Sequence, residues 1–169
     1  MWLTRGDASR LQQLWSVDLD GAILASPLFA NGVVYAATEN GTVSAVAAAD
    51  GNVLWSDRFG SVGTSCGSWG ISSTGTLDVA RGLLYVANAD GVLRALDLQT
   101  GAAVWTLPIT DRTQTEYVWG GLRLEGNLLY VPVASYCDAA DDMGQPAEGR
   151  VVAVDVATQA LAAQNRRSG

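Results

Sequence analysis

Residues 97–105 read DLQTGAAVW and end at Trp105. The same phrase, in the form AAADGNVLW, occupies residues 47–55 and ends at Trp55. A third form, DVATQALAA at residues 155–163, keeps the spacing but carries Ala163 where the tryptophan belongs. Trp15, in LWSVDL, stands where a preceding copy would have ended. Self-similarity at a fixed period marks one supersecondary unit used several times, and it outranks local propensity in deciding the fold.

Aligned on these positions, the units run over residues 16–55, 56–105 and 106–163. Each opens with a short apolar stretch: AILASPLF, SWGISSTGTL and YVWGGLRL. A turn at Gly32, Gly82 or Gly126 leads into a tyrosine-bearing strand. A polar turn at Gly41, Gly91 or Gly149 leads into a third strand, and the tryptophan phrase closes the unit. Asn-Gly and Asp-Gly between apolar runs are strong hairpin signals, because glycine takes the positive φ that a tight turn demands. Each unit therefore reads as a four-stranded antiparallel meander. The runs VVYAA, LLYVA and VVAVDV are apolar at most positions rather than alternating, which predicts sheets covered on both faces. Repeated four-stranded sheets of this kind are propeller blades. A β-sandwich, the other all-β solution, does not predict that Tyr, Gly and Trp recur together.

The pattern A-x-D-x-x-T-G-x-x-x-W is complete at Ala95, Asp97, Thr100, Gly101 and Trp105. It resembles the blade signature of the pyrroloquinoline-quinone-like (quinoprotein alcohol dehydrogenase-like) β-propellers, and the resemblance extends from about Leu14 to Ala163. The first unit departs from it at Ala47, the third at Gln159 and Ala163. The resemblance implies that the tryptophan docks between neighbouring blades and that Thr-Gly makes the turn. It implies too that the third unit docks less firmly or lacks its neighbour. The Gly-His and Trp-Asp marks of WD-type propellers are absent from the sequence.

The expected organisation is a poorly ordered leader over residues 1–13, a propeller segment over 14–165 and a tail over 166–169. Closed propellers use ~4–8 blades, and the resemblance implies a seven- or eight-bladed ring. Three blades would form an open arc, a fragment of such a ring, with an apolar face at each end. The expected partners are the remaining blades of the same ring, a second copy of the chain, or another protein.

Composition narrows the function classes. A net charge of −7 without a basic stripe argues against a nucleic-acid backbone as partner. No run approaches the ~20 apolar residues of a membrane helix. The 169 residues include no histidine, which removes Ser-His and Cys-His pairs and most zinc sites. The opening MWLTRGDASR lacks the basic start and apolar core of a signal peptide.

The candidate site residues fall on one face, where the connection entering each blade meets the loop between its second and third strands. Cys66 lies in the connection entering the second unit, and Cys137 in the long loop of the third. A Cys66–Cys137 disulfide would imply an oxidising compartment and stabilise by about 4 kcal/mol in the chain-entropy model; the alternative is two free thiols. Trp69 and Trp119, each followed by glycine (Gly70, Gly120), are expected at equivalent places at the channel mouth. The resemblance implies a stacking role on a flat cofactor for them; packing as core aromatics is the alternative. Asp138, Asp141, Asp142 and Glu148, without EF-hand spacing, read as an acidic, solvated loop and only weakly as calcium ligands. The blade signature itself (Trp15, Trp55, Trp105, Asp97, Thr100, Gly101) is structural.

The resemblance implies a periplasmic or extracellular protein, and the segment YVWGGL…LLYVPVASYCD resembles secreted bacterial members. The expected function is a binding or scaffold module, without catalysis that the sequence itself argues for. The alternatives are part of an alcohol or sugar dehydrogenase using pyrroloquinoline quinone and calcium, and the sensor propeller of a receptor kinase.

Overall fold

The computed structural model describes residues 10–110, 115–135 and 148–163. The expected leader and tail lie largely outside them. Three antiparallel sheets follow one another in an open arc. The first has the order β1 (Leu28–Ala30), β2 (Val33–Ala37), β3 (Thr42–Ala47) and β4 (Val53–Arg58). A two-stranded hairpin, β5 (Val62–Thr64) and β6 (Gly67–Trp69), intervenes. The second sheet comprises β7 (Thr76–Asp78), β8 (Leu83–Ala87), β9 (Val92–Asp97) and β10 (Ala103–Pro108). In the third, β12 (Arg123–Glu125), β13 (Leu128–Ser135), β14 (Arg150–Asp155) and β15 (Ala160–Ala163) repeat the order, while β11 (Glu116–Tyr117) pairs with the far end of β13. The meander is as the repeat predicts; the β5–β6 hairpin and β11 are additions that the repeat does not contain.

Adjacent sheets meet along their first strands. The Thr74 carbonyl oxygen accepts from Leu122 N at 2.8 Å on one side, and its Oγ1 accepts from Ser26 N at 3.0 Å on the other. Between the sheets lie two apolar cores. One is centred on Tyr35, Val43, Ile71, Leu84 and Leu96, the other on Tyr85, Leu93, Leu129, Val131 and Val152. Strands β2 and β8 are thus buried on both faces, as their unbroken apolar runs require. Strand β13 instead alternates, with Leu129, Val131 and Val133 buried and Leu128, Tyr130 and Pro132 partly exposed. Its outer face has no sheet against it among the described residues, so the double coverage expected for the third unit is halved.

The turn before each outer strand follows the side chain that the sequence provides. In sheet 2, Asp97 Oδ1 accepts from Gln99 N, Thr100 N and Thr100 Oγ1 at 2.9–3.0 Å. The Thr100 hydroxyl and amide hold the Asp97 carboxyl below the usual carboxylate range. Asp155 makes the two backbone bonds in sheet 3, to Ala157 N and Thr158 N. In sheet 1, where Ala47 replaces the aspartate, Asp50 accepts from Asn52 N instead, at 3.0 Å.

Candidate functional site

The repeated tryptophans occupy the sheet boundaries. Trp55 donates Nε1–H to Leu98 O at 3.0 Å, and its ring lies over Gly101. Trp15 does the same one sheet earlier, donating to Ala48 O at 2.9 Å over Gly51. The stretch around Trp15 therefore takes the place of a fourth strand ahead of sheet 1. At the third boundary Gln159 stands in the glycine's place with φ 58°, and Trp105 packs into the shared core at 5.7 Å from Tyr85. Among the described residues its Nε1–H makes no counterpart bond to Val156 O. The boundary is held instead by Arg150, which donates to Ile109 O at 3.2 Å and to the buried Glu116 carboxylate at 2.9 Å.

The loop face gathers the remaining candidates. The β5–β6 hairpin carries Cys66 at its exposed tip and Trp69 at its end. Register places Trp69 seven residues before Thr76, the partner of Tyr85, but Trp119 only four before Arg123, the partner of Tyr130. The two tryptophans therefore differ by three residues in register, contrary to expectation; the extra residues lie between β6 and β7, after the hairpin. They meet all the same, edge to face, with ring centroids 5.1 Å apart and planes at 74°. Tyr117 joins them from below, 4.6 Å from Trp119.

Every polar edge of this cluster is tied inward. Trp69 Nε1 donates to Thr64 Oγ1 at 3.2 Å, and Trp119 Nε1 to Ser135 O at 2.8 Å. The Tyr117 hydroxyl lies 2.6 Å from Ser72 Oγ and donates to Gly70 O at 3.2 Å. Burial pushes the Tyr117 hydroxyl up to about 12, the Ser72 bond opposing and the Glu39 carboxylate adding, so it stays neutral at physiological pH. Gly70 is required for contact with sheet 1, since a Cβ there would lie 2.6 Å from Glu39 O. What the surface presents is ring: Trp119 is 36% exposed, beside the exposed backbone of Gly120 and Gly121. A neutral phenol and two indoles offer no general base; they offer stacking and cation attraction.

Cys66 is disulfide-bonded. Its expected partner Cys137 lies outside the described residues, as do Asp138, Asp141 and Asp142; Glu148 is exposed. Glu39, Tyr117, Thr64 and Ser72 were not singled out by the sequence, because none repeats in register and each works through the hairpin or the connection that follows it.

A family model described as "Outer membrane protein assembly factor BamB", of the PQQ-like repeat type, matches residues 3–169. The chain belongs to this PQQ-like β-propeller family. Among curated relatives of this propeller, the quinohemoprotein alcohol dehydrogenase ADH IIB of Pseudomonas putida is 34% identical over 132 residues, 70% of this chain and 18% of that protein. BamB of Burkholderia pseudomallei (strain K96243) is 35% identical over 106 residues, 59% of this chain and 25% of that protein. The chain thus spans a quarter or less of the length of either. Among solved structures, a europium-containing methanol dehydrogenase superposes with a TM-score of 0.71 at 22% identity, covering 92% of this chain and 27% of that one. BamB from Moraxella catarrhalis gives 0.57 at 20% identity, covering 91% and 55%. At these identities the superpositions establish the fold.

Proposed function

We propose that this propeller segment is an extracytoplasmic binding and scaffold module whose ligand surface is the Trp69–Trp119 face. The observation that carries the proposal is the inward bonding of every polar edge there. It leaves exposed ring on a rigid frame and no group poised for proton transfer. The likeness to BamB supports a scaffold role. An extracytoplasmic setting is supported by the disulfide at Cys66, since such bonds persist in oxidising compartments. Cys137, the second of the chain's 2 cysteines, is its proposed partner. The Trp119–Ser135 bond supports the pairing, because it brings the end of β13 beneath the hairpin. No helix among the described residues is long and apolar enough to cross a membrane. Further sheets of the ring, a second copy or another protein would cover the outer face of β13.

The second reading, a segment of a quinone-dependent dehydrogenase, is favoured by the 34% identity to such an enzyme. Pyrroloquinoline quinone is a planar polycarboxylate. Trp119 offers a face for its ring, but among the described residues the surface supplies no cation for its carboxylates. It sets the Glu39 carboxylate beside them, like charge against like. The described residues therefore do not fit the cofactor, and no catalytic step follows from them. Reconstituting the full-length protein with quinone and calcium, and following dye reduction with alcohols, separates the two readings: turnover would overturn the scaffold assignment. Intact mass after alkylation without reductant tests the disulfide, two modified thiols in native protein being the adverse result.

A further inference from the structure

Glu39 lies between β2 and β3 of sheet 1, under the aromatic surface. Its Oε2 accepts from Gly70 N at 3.2 Å, the amide next to Trp69. Its Oε1 is buried and accepts no hydrogen bond. A buried carboxylate oxygen without a donor is costly, and a nearby cation would offset that cost. Above it, Trp69 meets Trp119 at 74° and Trp119 meets Tyr117 at 55°, so the rings form corners rather than a parallel stack. Their N–H and O–H groups are bonded within the protein, so what Trp119 leaves at the surface is ring. Two nearby arginines are engaged elsewhere: Arg150 with Glu116, and Arg94 with Asp90 and over the Phe59 ring. A net charge of −7 adds a general attraction for cations.

We propose that the Trp69–Trp119–Tyr117 corner binds an organic ammonium group, with Glu39 supplying negative potential beneath the rings. The inference rests on the aromatic face being the binding surface and names its ligand class. Trp119 is the contact residue, as the most exposed of the three rings. Tyr117, 2% exposed, positions it from below. Alkylated ammonium ions suit such a site because their spread charge is weakly hydrated and their methyl groups pack on indole faces.

The test titrates the full-length protein with tetramethylammonium at constant ionic strength and follows tryptophan fluorescence. Neopentyl alcohol serves as an uncharged probe of similar bulk. A saturable response to the ammonium ion alone is expected. Trp119→Ala should weaken it about tenfold. Glu39→Gln should weaken it while leaving the Trp69–Trp119 contact, read as the exciton signal in circular dichroism, unchanged. Trp119→Phe, which keeps a ring, should retain part of the affinity. An equal response to neopentyl alcohol would overturn the ammonium assignment and leave an apolar binding surface standing. No saturable response, or one indifferent to Trp119→Ala and Glu39→Gln, would overturn it outright.

Discussion

Trp55 and Gly101 lie so close across the boundary of sheets 1 and 2 that a Cβ on the glycine would sit 2.5 Å from Trp55 Cε3. Gly101 also holds φ 77°, in the left-handed region where a side chain is strained. Gly101→Ala should therefore destabilise by about 2–4 kcal/mol, combining backbone strain with overpacking. Urea unfolding measures it. In a double-mutant cycle, Trp55→Ala should relieve the overpacking part of the cost and leave the backbone part. Strict additivity would mean that the two do not touch.

Gln159 reverses the case. It occupies the same turn position with φ 58° and bears a side chain. Gln159→Gly should stabilise sheet 3 by about 0.5–1 kcal/mol through relief of the left-handed backbone. A raised melting temperature is the expected result; a lowered one would mean that the glutamine side chain holds the boundary.

Tyr85 and Tyr117 predict an alkaline limit. Burial pushes both hydroxyls up to about 12; at Tyr85 the Asp78 carboxylate adds to it, and at Tyr117 the Ser72 bond opposes while Glu39 adds. Unfolded tyrosine titrates near ~10. The folded state therefore holds these protons more tightly, and their contribution is complete below about pH 10 and lost as pH rises through about 12. Melting temperature against pH, with phenolate absorbance as the titration signal, should show the two falling together. Phenolate appearing well before any loss of stability would contradict the burial.

Arg150→Met should cost about 3–5 kcal/mol, since it takes the arginine from the buried Glu116 carboxylate and removes the link to Ile109 O. Pairing it with Glu116→Leu should recover much of the loss. If the single variant unfolds like the parent in urea, the pair carries little at this boundary.

The blade pattern was legible because each of its parts answers a local demand: a glycine for positive φ, an aspartate for the turn amides, a tryptophan large enough to reach the next sheet. The departures at Gln159 and Ala163 were legible for the same reason, and Trp105, without a glycine to lie on, makes no counterpart of the Trp55–Leu98 bond. The aromatic face was legible only in part. Trp69 and Trp119 stand out as residues, but their contact depends on the β5–β6 hairpin, three short residues a side, which carries neither length nor periodicity. Glu39 matters through a carboxylate oxygen that nothing donates to, and no sequence pattern reports a missing partner.

Two of the three boundaries are a tryptophan on a glycine, Trp15 on Gly51 and Trp55 on Gly101; the third is Arg150 between Ile109 and Glu116, where a glutamine fills the glycine's place. The first two seams share one design, and the third does not. A tryptophan brought by recombination to the third seam would meet Gln159 instead of a glycine, so the place of the third unit is written into its seam rather than its strands.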